Sequence, residues 1–138
     1  MSIQKLTVET TVNAPVEKVW QYWTEPEHII QWNFASQDWH CPNATNDLKS
    51  DGKFSYRMEA KDGSMGFEME GVYTEVEKPK KIVYSMEDNR KVEILFISLE
   101  DTTRIVETFD AENTFPHEQQ QQGWQSILDN FKMHVEKN

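Results

Sequence analysis

The side chains in this sequence that could ligate a metal or act as a nucleophile are few: His28, His40, Cys41, His117 and His134. No two of them stand at a spacing that zinc sites use, and His40 and Cys41, if extended, point to opposite faces. No metal and no cofactor is expected. A thiol nucleophile needs a nearby base and a lowered pKa. With His40 turned away, Cys41 reads as a buried or half-buried cysteine, and as the only one in the chain it forms no internal disulfide. The five glycines are spread over turns, bends and helix-packing positions, so no loop cradles a phosphate. Glu68 and Glu70 share one strand parity, opposite Phe67 and Met69. We assign them to a solvated outer face, because two unpartnered carboxylates inside would be costly. Arg57 and Arg104 go to the outside as well. His117 is different. It stands three and four residues before Gln120 and Gln121 and seven before Trp124, so on a helix it projects towards the body of the protein. It is either solvated where the helix start overhangs a sheet edge, or a polar contact, acid or base at the mouth of a pocket lined by Trp39, Tyr56, Phe67 and Met69.

The element carrying His117 is the only long helical pattern in the chain, Thr114 to Val135. Trp124, Ile127, Leu128, Phe131 and Val135 fall on one arc roughly 100° wide. Thr114 can cap this helix and Pro116 suits its first turn. Gly123 either lets the helix approach a sheet closely or is simply a tolerated helix glycine. Everything before it is strand-like except two short helices. Ile3 to Val12 alternates and is rich in β-branched residues. Asn13 then caps a helix with Pro15 near its first turn and an apolar face of Val16, Val19, Trp20 and Trp23. Thr24-Glu25-Pro26-Glu27 matches a capping box for a second short helix carrying Ile29, Ile30 and Trp32. Asn33 to Leu48 has little periodicity and ends in a strand around Thr45 to Lys49. Hairpin strands follow, turned at Asp51-Gly52, Asp62-Gly63, Pro79, Asp88-Asn89 and Asp101-Thr102, with Gly71 marking a bulge or bend. The spans are Lys53 to Glu59, Met65 to Val76, Ile82 to Met86, Val92 to Leu99 and Thr103 to Phe109. This predicts an α+β fold: a curved antiparallel sheet of six or seven strands gripping the last helix, with two short helices after the first strand.

The chain has 138 residues, enough for one domain with one sizeable core, and a formal charge of −10 from 24 acidic and 14 basic residues. Scattered lysines and that acidity argue against nucleic acid and anionic membrane surfaces as partners. No apolar run approaches the roughly 18 residues of a membrane span, and none follows Met1 to Lys5 as a signal peptide would require. A cytoplasmic location is expected. Five Trp, seven Phe, four Tyr and six Met serve either an ordinary core of large side chains or an aromatic, Met-lined pocket for an apolar ligand.

Several short pieces recur here in a recognisable order. They run from Val12-Asn13-Ala14-Pro15 through Val19-Trp20, Trp23-Thr24, Pro26-Glu27-His28 and Gln31-Trp32 to Asp47-Leu48 and Gly52-Lys53-Phe54. Gly71-Val72-Tyr73, Glu75-Val76, Thr103-Arg104, Glu107-Thr108-Phe109 and Gly123-Trp124 complete the series. In these, nearly end to end, the chain resembles the Hsp90-ATPase-activator-homologue branch of the START-like (helix-grip, SRPBCC) superfamily. The resemblance implies a cavity between the sheet and the C-terminal helix. Members of the superfamily bind lipids, sterols or polyketides, some are cyclases or other enzymes, and this branch is named for a eukaryotic co-chaperone domain. Ser50-Asp51-Gly52 stands where the family often has paired glycines, so a changed turn is expected. The superfamily shares no catalytic motif, and no catalytic residue is carried over.

On this reading the cavity draws on Trp32, Phe34 and Trp39, on Tyr56, Met58, Phe67, Met69 and Tyr84 from the hairpins, and on His117, Gln121 and Trp124 from the helix. The first expectation is a START-like domain 1–138 that holds a small hydrophobic or amphipathic molecule, lipid or polyketide-like. The second is a chaperone-associated interaction module whose partner is of Hsp90 type. The third is a cyclase or hydrolase acting on a hydrophobic substrate. A homodimer is compatible with all three.

Overall fold

The computed structural model describes residues 4–34, 37–86, 89–112 and 116–138. β1 (Lys5–Val12) turns Val8 and Val12 inward, as its alternation requires. Two helices follow, α1 (Val16–Thr24) and α2 (Pro26–Trp32). Neither has the cap expected. Pro15 occupies the N-cap of α1, while the Asn13 backbone N–H donates to Glu136 Oε2 at 2.8 Å. The capping box of α2 does not form because Thr24 is still helical, its hydroxyl donating back to the Trp20 carbonyl at 2.8 Å. The break comes from Pro26. A residue before proline is pushed out of the helical region, and Glu25 adopts φ −83° and ψ 126°.

β2 is Trp39–Asn46, earlier than the expected Thr45 to Lys49. Pro42 hides it in the sequence. The proline sits where the register slips between His40 and Asn43, and a bulged edge strand is where proline is tolerated. β2 leads to β3 (Lys53–Ala60) through a turn in which Asp51 takes φ 70°. A Cβ on the next residue, Gly52, would collide with the Asp47 carbonyl oxygen, so glycine is required there. β4 (Gly66–Glu77), β5 (Lys81–Met86), β6 (Lys91–Leu99) and β7 (Thr102–Asp110) complete an antiparallel meander. The bulge of β4 falls between Tyr73 and Glu75 rather than at Gly71. Gly71 serves packing instead: a Cβ there would lie 2.6 Å from the Phe54 ring. Asp88 and Thr114, expected at a turn and a cap, lie outside the described residues.

Among the described residues the sheet has seven strands in the order β1-β7-β6-β5-β4-β3-β2, all neighbours antiparallel. α3 (His117–Lys137) lies across its concave face, with Pro116 at the N-cap. Leu128, Phe131 and Val135 are fully buried, and each contributes about 1.5–3 kcal/mol on leaving water. Around Phe131 the rings of Trp23 and Trp32 pack at centroid distances of 4.8 and 4.9 Å, and Phe96 meets Trp23 at 5.6 Å. Trp32 Nε1 donates to the Tyr22 carbonyl at 3.0 Å, which satisfies the polar atom of this buried ring. Gly123 does not mediate close packing, since a Cβ on it would meet nothing within 4 Å.

Candidate functional site

The packing under α3 is tight over its C-terminal turns and open further forward. Beneath Trp124 and Ile127 lies a cavity of about 270 Å³. That is about nine water molecules' share of liquid volume, just under the range of small-molecule sites. β3 supplies Tyr56 and Met58, β4 supplies Phe67, Met69 and Tyr73, and β5 supplies Ile82, Tyr84 and Met86. Trp23 and Trp32 close the helix side. Phe67 lines the cavity and is 51% exposed, so it stands where the space meets solvent. Trp124 is held against the sheet by a flat stack on Phe109, with centroids 4.0 Å apart and an interplanar angle of 8°.

Of the residues read from the sequence as cavity candidates, Trp32, Tyr56, Met58, Phe67, Met69, Tyr84 and Trp124 meet on this one surface. Phe34, Trp39, His117 and Gln121 do not. Phe34 sits in a groove between α2 and α3, where its carbonyl accepts from Asn130 Nδ2 at 2.6 Å. Trp39 packs beside Phe67 at a centroid distance of 5.9 Å but stays outside the lining. His117 is exposed at the overhanging helix start. Gln121 turns to the sheet edge, where its amide donates to the Thr7 carbonyl at 2.8 Å. Its neighbour Gln120 faces inward and pins the β7–α3 connection: the Glu112 N–H donates to its Oε1, and its Nε2 donates to the Glu112 carbonyl, both at 2.9 Å.

Three polar features of the cavity went unremarked in the sequence. Tyr73 donates to Asn46 Oδ1 at 2.5 Å, Asn46 Nδ2 donates to the Thr24 carbonyl at 2.7 Å, and Tyr56 lies 3.5 Å from the Tyr73 hydroxyl. Burial pushes the phenols of Tyr56 and Tyr84 well above their ordinary value and that of Tyr73 to about 12, so all three stay protonated. Asn33 follows α2 in the lining with its Nδ2 buried and without a partner. Glu107 is the third. It is 6% exposed, projects from the middle of β7, and has no hydrogen bond or ion pair among the described residues. Burial lifts its pKa to about 8. Its signal was strand parity: Thr103, Ile105, Glu107 and Phe109 share one face of β7, and all four are buried. Placing Ile105 and Phe109 inside places Glu107 inside.

The other expected chemistry has clear locations. Cys41 is buried, its thiol is pushed up to about 11 by burial against a weaker opposing effect of the Asn43 backbone, and it stays a thiol. His40 points away from it to Glu59, Nε2 to Oε1 at 3.6 Å. Glu68 is exposed on the outer face, within 3.3 Å of the Ser55 hydroxyl. The fold joins His28 and His134, far apart in sequence, with Nδ1 of the first 3.1 Å from Nε2 of the second. Beside them the ligand atoms of Glu25, Glu27 and His28 lie within 4.8 Å of one another, a group with the donor types of a cation site.

A curved antiparallel sheet closed over a cavity by a C-terminal helix defines a helix-grip, START-like α+β protein. The chain belongs to the family described as Activator of Hsp90 ATPase homolog 1-like protein, whose model matches residues 13–136. It is similar to the AHSA1-like protein of Aeromonas hydrophila, with 44% identity, a TM-score of 0.92, and coverage of 97% of this chain and 93% of that one. A protein of Cytophaga hutchinsonii is 54% identical, with a TM-score of 0.84 and the same coverage of both chains. A Nitrosomonas europaea protein at 19% identity shares the fold, with a TM-score of 0.84 over 99% of each chain. No curated protein matches the chain. Among the described residues no helix is long and apolar enough to cross a membrane.

Proposed function

We propose that this protein is a binding module that holds a small, mostly apolar molecule between its sheet and α3. The observation that carries this reading is the unfilled space of about 270 Å³ under Trp124 and Ile127, next to helix turns packed without exposure. Three methionines in its wall, Met58, Met69 and Met86, can shift to fit different shapes. The chemistry of the lining supports binding over catalysis. Its phenols are protonated, and among the described lining residues no nucleophile stands next to a base. The test is native mass spectrometry after incubation with a lipid and metabolite extract, run on the wild type and on Met69→Trp, which fills the space. Retention of a small molecule by the wild type and its loss in the variant is the expected result. An empty wild type, or equal retention by both, overturns the reading.

The family description favours a second reading, a chaperone-linked interaction module. Met65 and Phe67 at the β3–β4 tip are 66% and 51% exposed and would offer the apolar contact. This reading requires co-purification with an Hsp90-type chaperone and a change in that ATPase; an unchanged rate removes it.

A further inference from the structure

Among the described titratable groups of the cavity wall, one has no structural task. Glu107 is nine-tenths buried, lies among Tyr84, Ile94 and Trp124, and neither pairs nor hydrogen-bonds with any described residue. An unpaired buried carboxyl costs stability, and a leucine or methionine would fill the position without that cost. We propose that Glu107 is the recognition group of the cavity and selects uncharged, flat aromatic or conjugated molecules carrying a hydroxyl or carbonyl oxygen. This rests on the binding reading above and adds the ligand class to it.

Two observations set the class. The first is the charge state of the site. Among the described residues, the titratable and charged groups that face the cavity are Tyr56 on β3, Tyr73 on β4, Tyr84 on β5, Arg90 before β6, Glu107 on β7 and Glu112 after it. The phenols are neutral, and Arg90 and Glu112 pair with each other at 3.4 Å. Among the described residues no cation is engaged with Glu107, whose pKa rises by burial, so at neutral pH the group is chiefly a carboxylic acid. A neutral carboxyl both donates and accepts, which complements a hydroxyl, or a carbonyl through its O–H. To an anion it can donate one hydrogen bond, which does not offset the desolvation of a full charge. The second is the shape of the walls: three indoles and three phenols around a small space favour a flat ring over a branched chain.

The experiment uses four compounds of one ring size, naphthol, naphthalene, naphthoate and naphthylmethylammonium, with binding followed by tryptophan fluorescence and calorimetry at neutral pH. Wild-type protein is expected to bind naphthol about tenfold more tightly than naphthalene, the equivalent of one well-made hydrogen bond. Both ions should bind more weakly than naphthol. Glu107→Leu should abolish the preference for naphthol, weakening naphthol while strengthening naphthalene. Glu107→Gln, which still donates and accepts, should restore part of the preference and keeps the test open if the leucine variant fails to fold. In infrared spectra the protonated-carboxyl band that Glu107→Gln removes should shift when naphthol binds. Equal affinities for naphthol and naphthalene overturn the proposal and leave the binding reading standing, as does tightest binding of the ammonium. Failure of all four compounds to bind also overturns the proposal, whereas the binding reading falls only if the wild type stays empty in the mass spectrometry above.

Discussion

Burial without a partner penalises the ionised form of Glu107, and the consequence reaches beyond the ligand to stability. Its pKa is about 8 in the folded protein against 4.5 for an ordinary glutamate. Between these values the folded chain keeps a proton that the unfolded chain releases. This contribution to stability is therefore full below about 4.5 and is lost as pH rises through about 8, a span of a few kcal/mol. Glu107→Gln removes the dependence. Thermal unfolding should show the variant clearly more stable than wild type at pH 8 and little different at pH 5; the same difference at both would mean that Glu107 does not titrate in this window. Two glycines make an opposite pair of predictions. Gly123→Ala should stabilise by about 0.5–1 kcal/mol, because the helix gains propensity and the new methyl meets nothing within 4 Å. Gly71→Ala should destabilise by about 1–3 kcal/mol, because the methyl would sit 2.6 Å from a buried ring. Urea denaturation decides both, and equal signs would refute the packing argument.

At the scale of elements, α3 does two things at once. One face fills the core and roofs the cavity, and the flank beside it closes an exposed sheet edge. β1 is an edge strand, and its outward carbonyls at Thr7, Glu9 and Thr11 are taken by Gln121 at 2.8 Å, Gln125 at 3.1 Å and Lys132 at 2.7 Å. The match is geometric. Two strand residues advance about 6.8 Å and four helix residues about 6 Å, so donors one turn apart meet alternate carbonyls, and the longer lysine covers the remaining offset. This explains why Gln121, expected to face a ligand, does not: helical phase places it about 100° from Gln120, on the edge side. An open edge invites pairing with another chain. The triple variant Gln121→Ala, Gln125→Ala and Lys132→Ala should lose about 1–3 kcal/mol and associate with rising concentration in light scattering. A monodisperse variant of unchanged stability would show that the ladder protects nothing.

For the molecule as a whole, the hairpins from Lys53 onward were readable because strand-like runs alternate with turn residues such as Asp62-Gly63, Pro79 and Asp101-Thr102. β2 was not, since Pro42 and a bulge break the alternation that identifies a strand. The apolar anchor of α3 was readable from its arc, and so were the aromatic and methionine walls, which follow strand parity. The polar side of the site was misplaced. His117 drew attention by its type, yet helix phase alone does not say how far the first turn overhangs the sheet. Glu107 was passed over because charged residues are assigned outward by default, although Ile105 and Phe109 on either side of it had already set its direction. Charged types are seldom buried, but a strand's alternation fixes the face of every residue in it, and here parity overrules residue type.

The pairing of β1 with β7 gives the chain a schedule. Lys5 and Asp110, paired across the sheet, are joined by an ion pair of 2.6 Å and stand 105 residues apart. At bacterial or eukaryotic rates of synthesis, about 5–20 residues per second, the first strand waits roughly 5–20 s before its partner exists. For that interval its alternating valines and threonines have no sheet to join. A folding factor that shelters a nascent strand would have its largest effect there, at the beginning of the chain and long before the cavity has a roof.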